Sequence, residues 1–186
     1  VIGGSITEGA AASKVENRYG NRIAKWWRET FPKAEIEFIN AGIGATSSDM
    51  GCHRVQKHLM IHNPDFIICE YAVNDSDNDI IPETMEGLVR QMLEAPKNPA
   101  VLMLFMMNKK GINKQKEHAV IGEHYDLGMI SYRNGLWPEI EEGTIAWDAI
   151  AADSVHPSDL GHEYAAKMVK NYLEKVLKEV TSQTGK

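Results

Sequence analysis

Apolar residues fall into two patterns along this chain, short continuous runs and repeats with helical spacing. Four runs have the composition of buried strands, at Val1–Ile2, Ile36–Ile39, Phe66–Cys69 and Val101–Met106, and Gly128–Ser131 is a fifth, shorter candidate. Most of these runs end near glycine, asparagine or aspartate, the residues that favour turns. The pattern therefore predicts about five strands.

Between the runs, apolar side chains recur every three or four positions, which is the spacing of an amphipathic helix. Strands that alternate with helices imply right-handed crossovers and a parallel sheet. We therefore expect a flavodoxin-like, three-layer α/β/α domain with about five parallel strands. The residues with helical spacing are Ile23, Trp26, Trp27 and Phe31; Val55, Leu59 and Met60; Met85, Leu88, Val89 and Met92; and Leu160, Tyr164, Met168, Leu173, Val176 and Leu177.

The chain has 186 residues, of which 43% are hydrophobic and 25% are charged, so it is predicted to form one domain over 1–186. Its first strand is unusual, because only Val1 and Ile2 precede Gly3, whereas strands usually have about five or six residues. We therefore expect that the N-terminus of this chain is clipped. Cys52 and Cys69 are the only cysteines, and no disulfide is predicted between them.

The net charge of −6 argues against a nucleic-acid partner, which usually requires a basic patch. No apolar run approaches the length of about 20 residues that a membrane-spanning helix needs. Oligomeric state and compartment are not predicted.

Two segments far apart in the chain carry residues suited to nucleophilic catalysis. Ser5 follows Gly3 and Gly4 at the carboxyl end of the first predicted strand, where open α/β sheets bind ligands. Asp153 and His156 lie three residues apart, in a segment that Pro157 separates from the last helix. A carboxylate can fix the tautomer of an imidazole, which then removes the proton from a serine hydroxyl.

Two further turns follow the second and third predicted strands and should reach the same sheet edge. The first contains Gly44, whose backbone N–H could donate a hydrogen bond, and the second contains Asn74, whose side-chain amide could do the same. Together with the Ser5 N–H they would give three donors for a developing oxyanion. Taken singly, each turn is also explained by ordinary turn chemistry.

The four segments together resemble the signature blocks of the SGNH/GDSL hydrolase family and occur in the order of that family. The resemblance implies that Ser5, His156 and Asp153 form a catalytic triad and that Ser5, Gly44 and Asn74 form the oxyanion hole. The chain departs from the family pattern in having Gly4 in place of aspartate, Ala72 in place of glycine, and a short first strand.

The resemblance further implies an ester hydrolase that needs no metal or organic cofactor. The implied partner is a small-molecule or oligosaccharide ester, and the resemblance to the carbohydrate-esterase branch of the family suggests acetyl esters on a carbohydrate. A thioesterase or lysophospholipase with the same triad is an alternative, as are an acyltransferase and a non-catalytic carbohydrate-binding module.

Other polar and aromatic groups offer weaker hypotheses. His58 and His62 have the spacing of two metal ligands on one helix face, but a solvated face explains them better. Trp147 lies six residues before Asp153, and it either borders the site or packs in the core.

Overall fold

The computed structural model describes residues 1–76 and 80–184, which form a parallel sheet between two layers of helices. The sheet has five strands in the order β2-β1-β3-β4-β5, the order of flavodoxin-like folds. The predicted fold class is thus confirmed. The strands are β1 (Ile2–Gly3), β2 (Ala41–Gly42), β3 (Phe66–Glu70), β4 (Ala100–Phe105) and β5 (Gly128–Ser131).

Eight α-helices are present among the described residues. The short helix α1 follows β1 directly, and α8 is the long C-terminal helix that the apolar repeat predicts. Two single turns of 3₁₀ helix, Val15–Asn17 and Met60–His62, lie next to α2 and α3. The helices are α1 (Ser5–Glu8), α2 (Tyr19–Thr30), α3 (Ser48–His58), α4 (Ile81–Leu93), α5 (Gln115–His124), α6 (Tyr132–Glu141), α7 (Trp147–Ile150) and α8 (Asp159–Thr184).

The two faces of the sheet bury separate apolar clusters. Alternate residues of β4 point to opposite faces, so that Leu102 and Leu104 pack under α2, α6, α7 and α8. Val101, Met103 and Phe105 pack instead under α3, α4 and α5. Burial on both faces explains why the β3 and β4 sequences are continuously apolar rather than alternating.

The predicted second strand is wrong in its position. The structure has β2 at Ala41–Gly42, whereas residues 36–39 have no regular secondary structure. The physical reason is register, because β1 pairs Ile2 with Ala41 and Gly3 with Gly42. The Ile39 carbonyl oxygen accepts a hydrogen bond of 2.8 Å from the Val1 amino group instead.

The remaining general predictions concern cysteines and membranes. Cys52 and Cys69 are both free thiols. In residues 1–76 and 80–184, no helix has the length and apolar character needed to span a membrane.

Candidate active site

The Gly3-Gly4-Ser5 turn connects β1 to α1 at the carboxyl edge of the sheet. A Cβ atom on Gly3 would lie 2.5 Å from the Glu70 carbonyl oxygen, so the close approach of β1 to β3 requires glycine there. Ser5 is the first residue of α1, and its N–H therefore has no acceptor within that helix. The turn thus presents a hydroxyl and a free amide at the same edge.

His156 joins this turn to the other end of the chain. Its Nε2 atom lies 2.9 Å from Ser5 Oγ, although the two residues are 151 positions apart. Its Nδ1 atom lies 2.7 Å from Asp153 Oδ2. The structure therefore brings the three predicted residues into one hydrogen-bonded chain, with the imidazole between the hydroxyl and the carboxylate.

The Asp153 carboxylate is held by its own loop. Its Oδ1 atom accepts hydrogen bonds from the backbone N–H groups of Val155, at 2.7 Å, and His156, at 2.8 Å. The His156 backbone N–H and side chain, followed by the Val155 N–H, lower the pKa of Asp153 to about 2. This residue is therefore a carboxylate at neutral pH and can accept a hydrogen bond from His156 Nδ1–H.

Trp147 supports the same loop from the core. It begins α7, is buried, and its indole Nε1–H donates a hydrogen bond of 2.7 Å to the Asp153 carbonyl oxygen. The structure thus selects the packing alternative for this side chain, with a direct link to the loop.

His58 and His62 are not part of a metal cluster, since the described residues contain no group of three His, Cys, Asp or Glu side chains able to hold an ion.

Gly44 lies beside Ser5, but its backbone N–H already donates a hydrogen bond to another residue. A Cβ atom on Gly44 would be 3.8 Å from Ser5 Cβ. The Gly44 N–H donates a hydrogen bond of 2.8 Å to Glu8 Oε2, at the end of α1. The predicted third donor is therefore paired with an exposed carboxylate, a contact that the sequence pattern did not indicate.

Asn74 lies against the serine turn from the β3 side. A Cβ atom on Gly4 would lie 2.6–2.8 Å from the three terminal atoms of the Asn74 amide, so only glycine allows this packing. Asn74 Oδ1 is buried and has no hydrogen-bond partner in the described part of the chain. The amide group thus lies against Gly4, the residue before Ser5, and its oxygen is an unpaired acceptor among the described residues.

The Asn74 loop is anchored by the next residue, Asp75. Its Oδ1 atom accepts a hydrogen bond of 2.8 Å from the Ser48 N–H at the start of α3, and its Oδ2 atom lies 2.8 Å from His118 Nε2. Both Asp75 and His118 are buried. Two helices on one face of the sheet therefore fix the position of this loop.

A buried acid lies beneath α1. Thr7 Oγ1 donates a hydrogen bond of 3.0 Å to Glu70 Oε2 and lies 2.8 Å from the Tyr19 hydroxyl. Burial raises the pKa of Glu70 to about 8, against a smaller lowering by the Thr7 hydroxyl. Sequence reasoning missed Glu70 because it ends an apolar strand and has no motif around it.

Comparison with known proteins identifies the family. The model of the GDSL-like Lipase/Acylhydrolase family matches residues 1–164. The chain belongs to this family. Membership of the GDSL family places this domain among the serine esterases and hydrolases, which confirms the enzyme class that the sequence predicts.

Solved structures of esterases share the fold of this domain. A two-domain esterase (CEX) active on acetylated mannans is 40% identical, with a TM-score of 0.92 over 94% of this chain and 47% of the other. This GDSL-family chain therefore spans about half the length of that relative.

More distant structures share the fold at lower identity. A catalytic mutant of Axe2, an acetylxylan esterase from Geobacillus stearothermophilus, is 18% identical, with a TM-score of 0.74 over 90% of each chain. The lipase/acylhydrolase from Enterococcus faecalis is 20% identical, with a TM-score of 0.70 over 94% of this chain and 93% of the other. No curated protein matches this GDSL-family domain.

Proposed function

We propose that residues 1–186 form the catalytic domain of an esterase that hydrolyses acetyl esters on carbohydrates, with Ser5 as nucleophile. The observation that carries this proposal is the unbroken chain from Ser5 Oγ through His156 to Asp153, with contacts of 2.9 and 2.7 Å. Nucleophile, base and orienting carboxylate are all within the hydrogen-bonding distance that acyl transfer requires. The carbohydrate substrate is supported by the 40% identical esterase, which is active on acetylated mannans.

The first half of the reaction acylates the serine. Ser5 Oγ attacks the ester carbonyl carbon while His156 Nε2 takes the hydroxyl proton, and Asp153 stabilises the resulting imidazolium. The carbonyl oxygen becomes an oxyanion, which accepts hydrogen bonds from the Ser5 N–H and the Asn74 amide. The C–O bond to the sugar then breaks, and His156 returns the proton to the departing sugar oxygen.

The second half releases the acid and restores the enzyme. His156 removes a proton from water, whose oxygen attacks the acyl carbon and forms a second oxyanion in the same place. This intermediate expels Ser5 Oγ, which takes back the proton from His156, and acetate leaves. No electron donor or acceptor is needed, because both steps are acyl transfers.

The third oxyanion donor becomes available through an exchange. The Gly44 N–H is bonded to Glu8 Oε2, so a substrate oxygen must replace this carboxylate before Gly44 can contribute. Glu8 is exposed and can turn into solvent at small cost. Acylation would therefore use two donors immediately and a third once Glu8 has moved.

The nucleophile is tested with Ser5→Ala and with Ser154→Ala as a matched control. Ser154 lies on the same rim, is exposed, and its hydroxyl makes no hydrogen bond with the described residues. On 4-nitrophenyl acetate, kcat should fall by a factor of about 10⁴ or more for Ser5→Ala and stay within about twofold for Ser154→Ala. Circular dichroism should show both variants folded. Turnover by folded Ser5→Ala at the wild-type rate would reject the assignment.

The substrate class is tested by comparing acetylated manno-oligosaccharides with 4-nitrophenyl esters of increasing chain length. A preference for acetyl over octanoyl supports the carbohydrate esterase. A rate that rises with chain length would favour a thioesterase or lysophospholipase instead, since each buried CH₂ contributes about 0.8 kcal/mol only where an apolar groove exists. Transfer of acetyl to an added alcohol in place of water would identify an acyltransferase.

A further inference from the structure

A single buried guanidinium group lies beneath the proposed site. Arg54 is on α3, is only 7% exposed, and donates three short hydrogen bonds. Its Nη1 atom donates to the Ala41 carbonyl oxygen at 2.6 Å, and its Nη2 atom donates to the Gly3 carbonyl oxygen at 2.9 Å. The Nη2 atom also donates to the Tyr71 hydroxyl at 2.7 Å. The fork of the guanidinium therefore joins three separate chain segments.

The three acceptors belong to three neighbouring strands or to the residue directly after one. Gly3 ends β1 and stands two residues before Ser5, and Ala41 begins β2 and stands three residues before Gly44. Tyr71 follows β3 and stands three residues before Asn74. The segments that Arg54 joins are thus the three that carry the oxyanion donors proposed above.

Tyr71 transmits this contact to the Asn74 loop. Its carbonyl oxygen accepts the Asn74 N–H at 2.9 Å, and its side chain is buried. A Cβ atom on Gly51 would lie 2.8 Å from the Tyr71 ring, so the glycine of α3 lets the ring pack close to this helix. The distance from Arg54 to the loop is therefore set by a rigid aromatic ring.

We propose that Arg54 is a positioning residue that holds the Ser5, Gly44 and Asn74 donors at one point. This inference rests on the function proposed above. It goes beyond the triad, because Arg54 neither contacts the triad nor accepts a proton from it.

The choice of arginine supports this role. A guanidinium offers several donors in one plane and can bond three acceptors in fixed directions, whereas the ammonium of lysine is a single point on a flexible stem. All three acceptors are uncharged, and no carboxylate forms an ion pair with Arg54 among the described residues. A buried cation without an anionic partner is costly, and here its positive charge also favours a negative charge that develops above it.

The inference is tested with Arg54→Lys, which keeps the charge but not the planar fork. We expect kcat on 4-nitrophenyl acetate to fall about 10- to 100-fold with KM within about twofold, since misplacing oxyanion donors weakens only transition-state binding. The affinity for a boronic acid that forms a tetrahedral adduct with Ser5 should fall by a similar factor. A lower kcat with unchanged boronate affinity would overturn the inference.

Leu173→Ala is the control for a loss of stability alone. Leu173 is buried on α8, in the apolar cluster on the sheet face opposite α3. This variant should lower the melting temperature yet keep kcat within about twofold of wild type. If Arg54→Lys fails to fold, Tyr71→Phe serves in its place, because it removes one of the three acceptors and keeps the ring. Tyr71→Phe should lower kcat about 3- to 10-fold, and wild-type kcat would refute the positioning role.

A structural readout separates failure of this inference from failure of the proposed function. In two-dimensional NMR spectra, the Ser5 and Gly44 amides and the Asn74 side-chain amide should all shift in Arg54→Lys or Tyr71→Phe and stay unchanged in Leu173→Ala. These shifts do not depend on which ester is the substrate. Unchanged resonances would reject the inference even in an active esterase, whereas a Ser5→Ala variant with full activity would reject only the function.

Discussion

Asp153→Asn tests the orientation of the imidazole with almost no change in shape. Asp153 Oδ1 accepts two backbone N–H groups, from Val155 and His156, so the oxygen of an asparagine fits only at this position. The new NH₂ group then takes the place of Oδ2, opposite His156 Nδ1. Because two donors cannot bond each other, Nδ1 must lose its proton, and the ring carries it on Nε2.

This tautomer is wrong for the proposed mechanism, in which Nε2, 2.9 Å from Ser5 Oγ, receives the hydroxyl proton. In a serine protease, the corresponding exchange lowers kcat by about 10⁴, which equals about 5.5 kcal/mol. The Asp153 side chain is 53% exposed, so water can relieve part of the conflict. We therefore expect a loss of about 10²–10⁴ in kcat, or about 3–5 kcal/mol.

The assay is the steady-state hydrolysis of 4-nitrophenyl acetate at pH 7.5, with Asp153→Ala as the comparison. Alanine offers no donor to His156 Nδ1, so water can accept a hydrogen bond from Nδ1–H and the correct tautomer persists. Asp153→Ala should therefore turn over faster than Asp153→Asn, although it loses the acceptor that fixes the loop and should melt at a lower temperature. An asparagine variant within tenfold of wild type, or one faster than alanine, would refute the tautomer argument.

Three further predictions follow from the site. Glu8→Gln removes a negative charge beside the developing oxyanion and should raise kcat/KM about 3- to 10-fold, whereas a fall would mean that the carboxylate is needed to hold Gly44. Gly4→Ala places a Cβ atom within 2.6–2.8 Å of the Asn74 amide and should lower kcat about 100-fold, with folding intact by circular dichroism; a wild-type rate would contradict it. Glu70 has a pKa of about 8 when folded, against an ordinary value of 4.5, so its contribution to stability is full below pH 4.5 and is lost as pH rises through 8. The wild-type melting temperature should therefore fall more between pH 5 and pH 8 than that of Glu70→Gln. An equal fall in the two proteins would contradict a raised pKa of Glu70.

The strand pattern could be predicted from the sequence because burial is a local property of each segment. β3 and β4 are apolar on both faces, and such runs between helical repeats occur in parallel sheets covered on both sides. The second strand could not be placed in the same way. Residues 36–39 are as apolar as a strand, but pairing depends on the register with another segment, and β1 pairs with Ala41 and Gly42 instead.

The sequence by itself determined the alternation of strands and helices and the three segments that lead from strand ends to Ser5, Gly44 and Asn74. These follow from spacing and from the rule that the carboxyl ends of parallel strands share one edge, and the resemblance of these segments to signature blocks indicated the family. Tertiary structure alone decided that Arg54 bonds three of these segments and that Glu8 pairs with the Gly44 N–H. Side chains on different elements meet only when packing fixes the distances between those elements, and no periodicity within one segment records these distances.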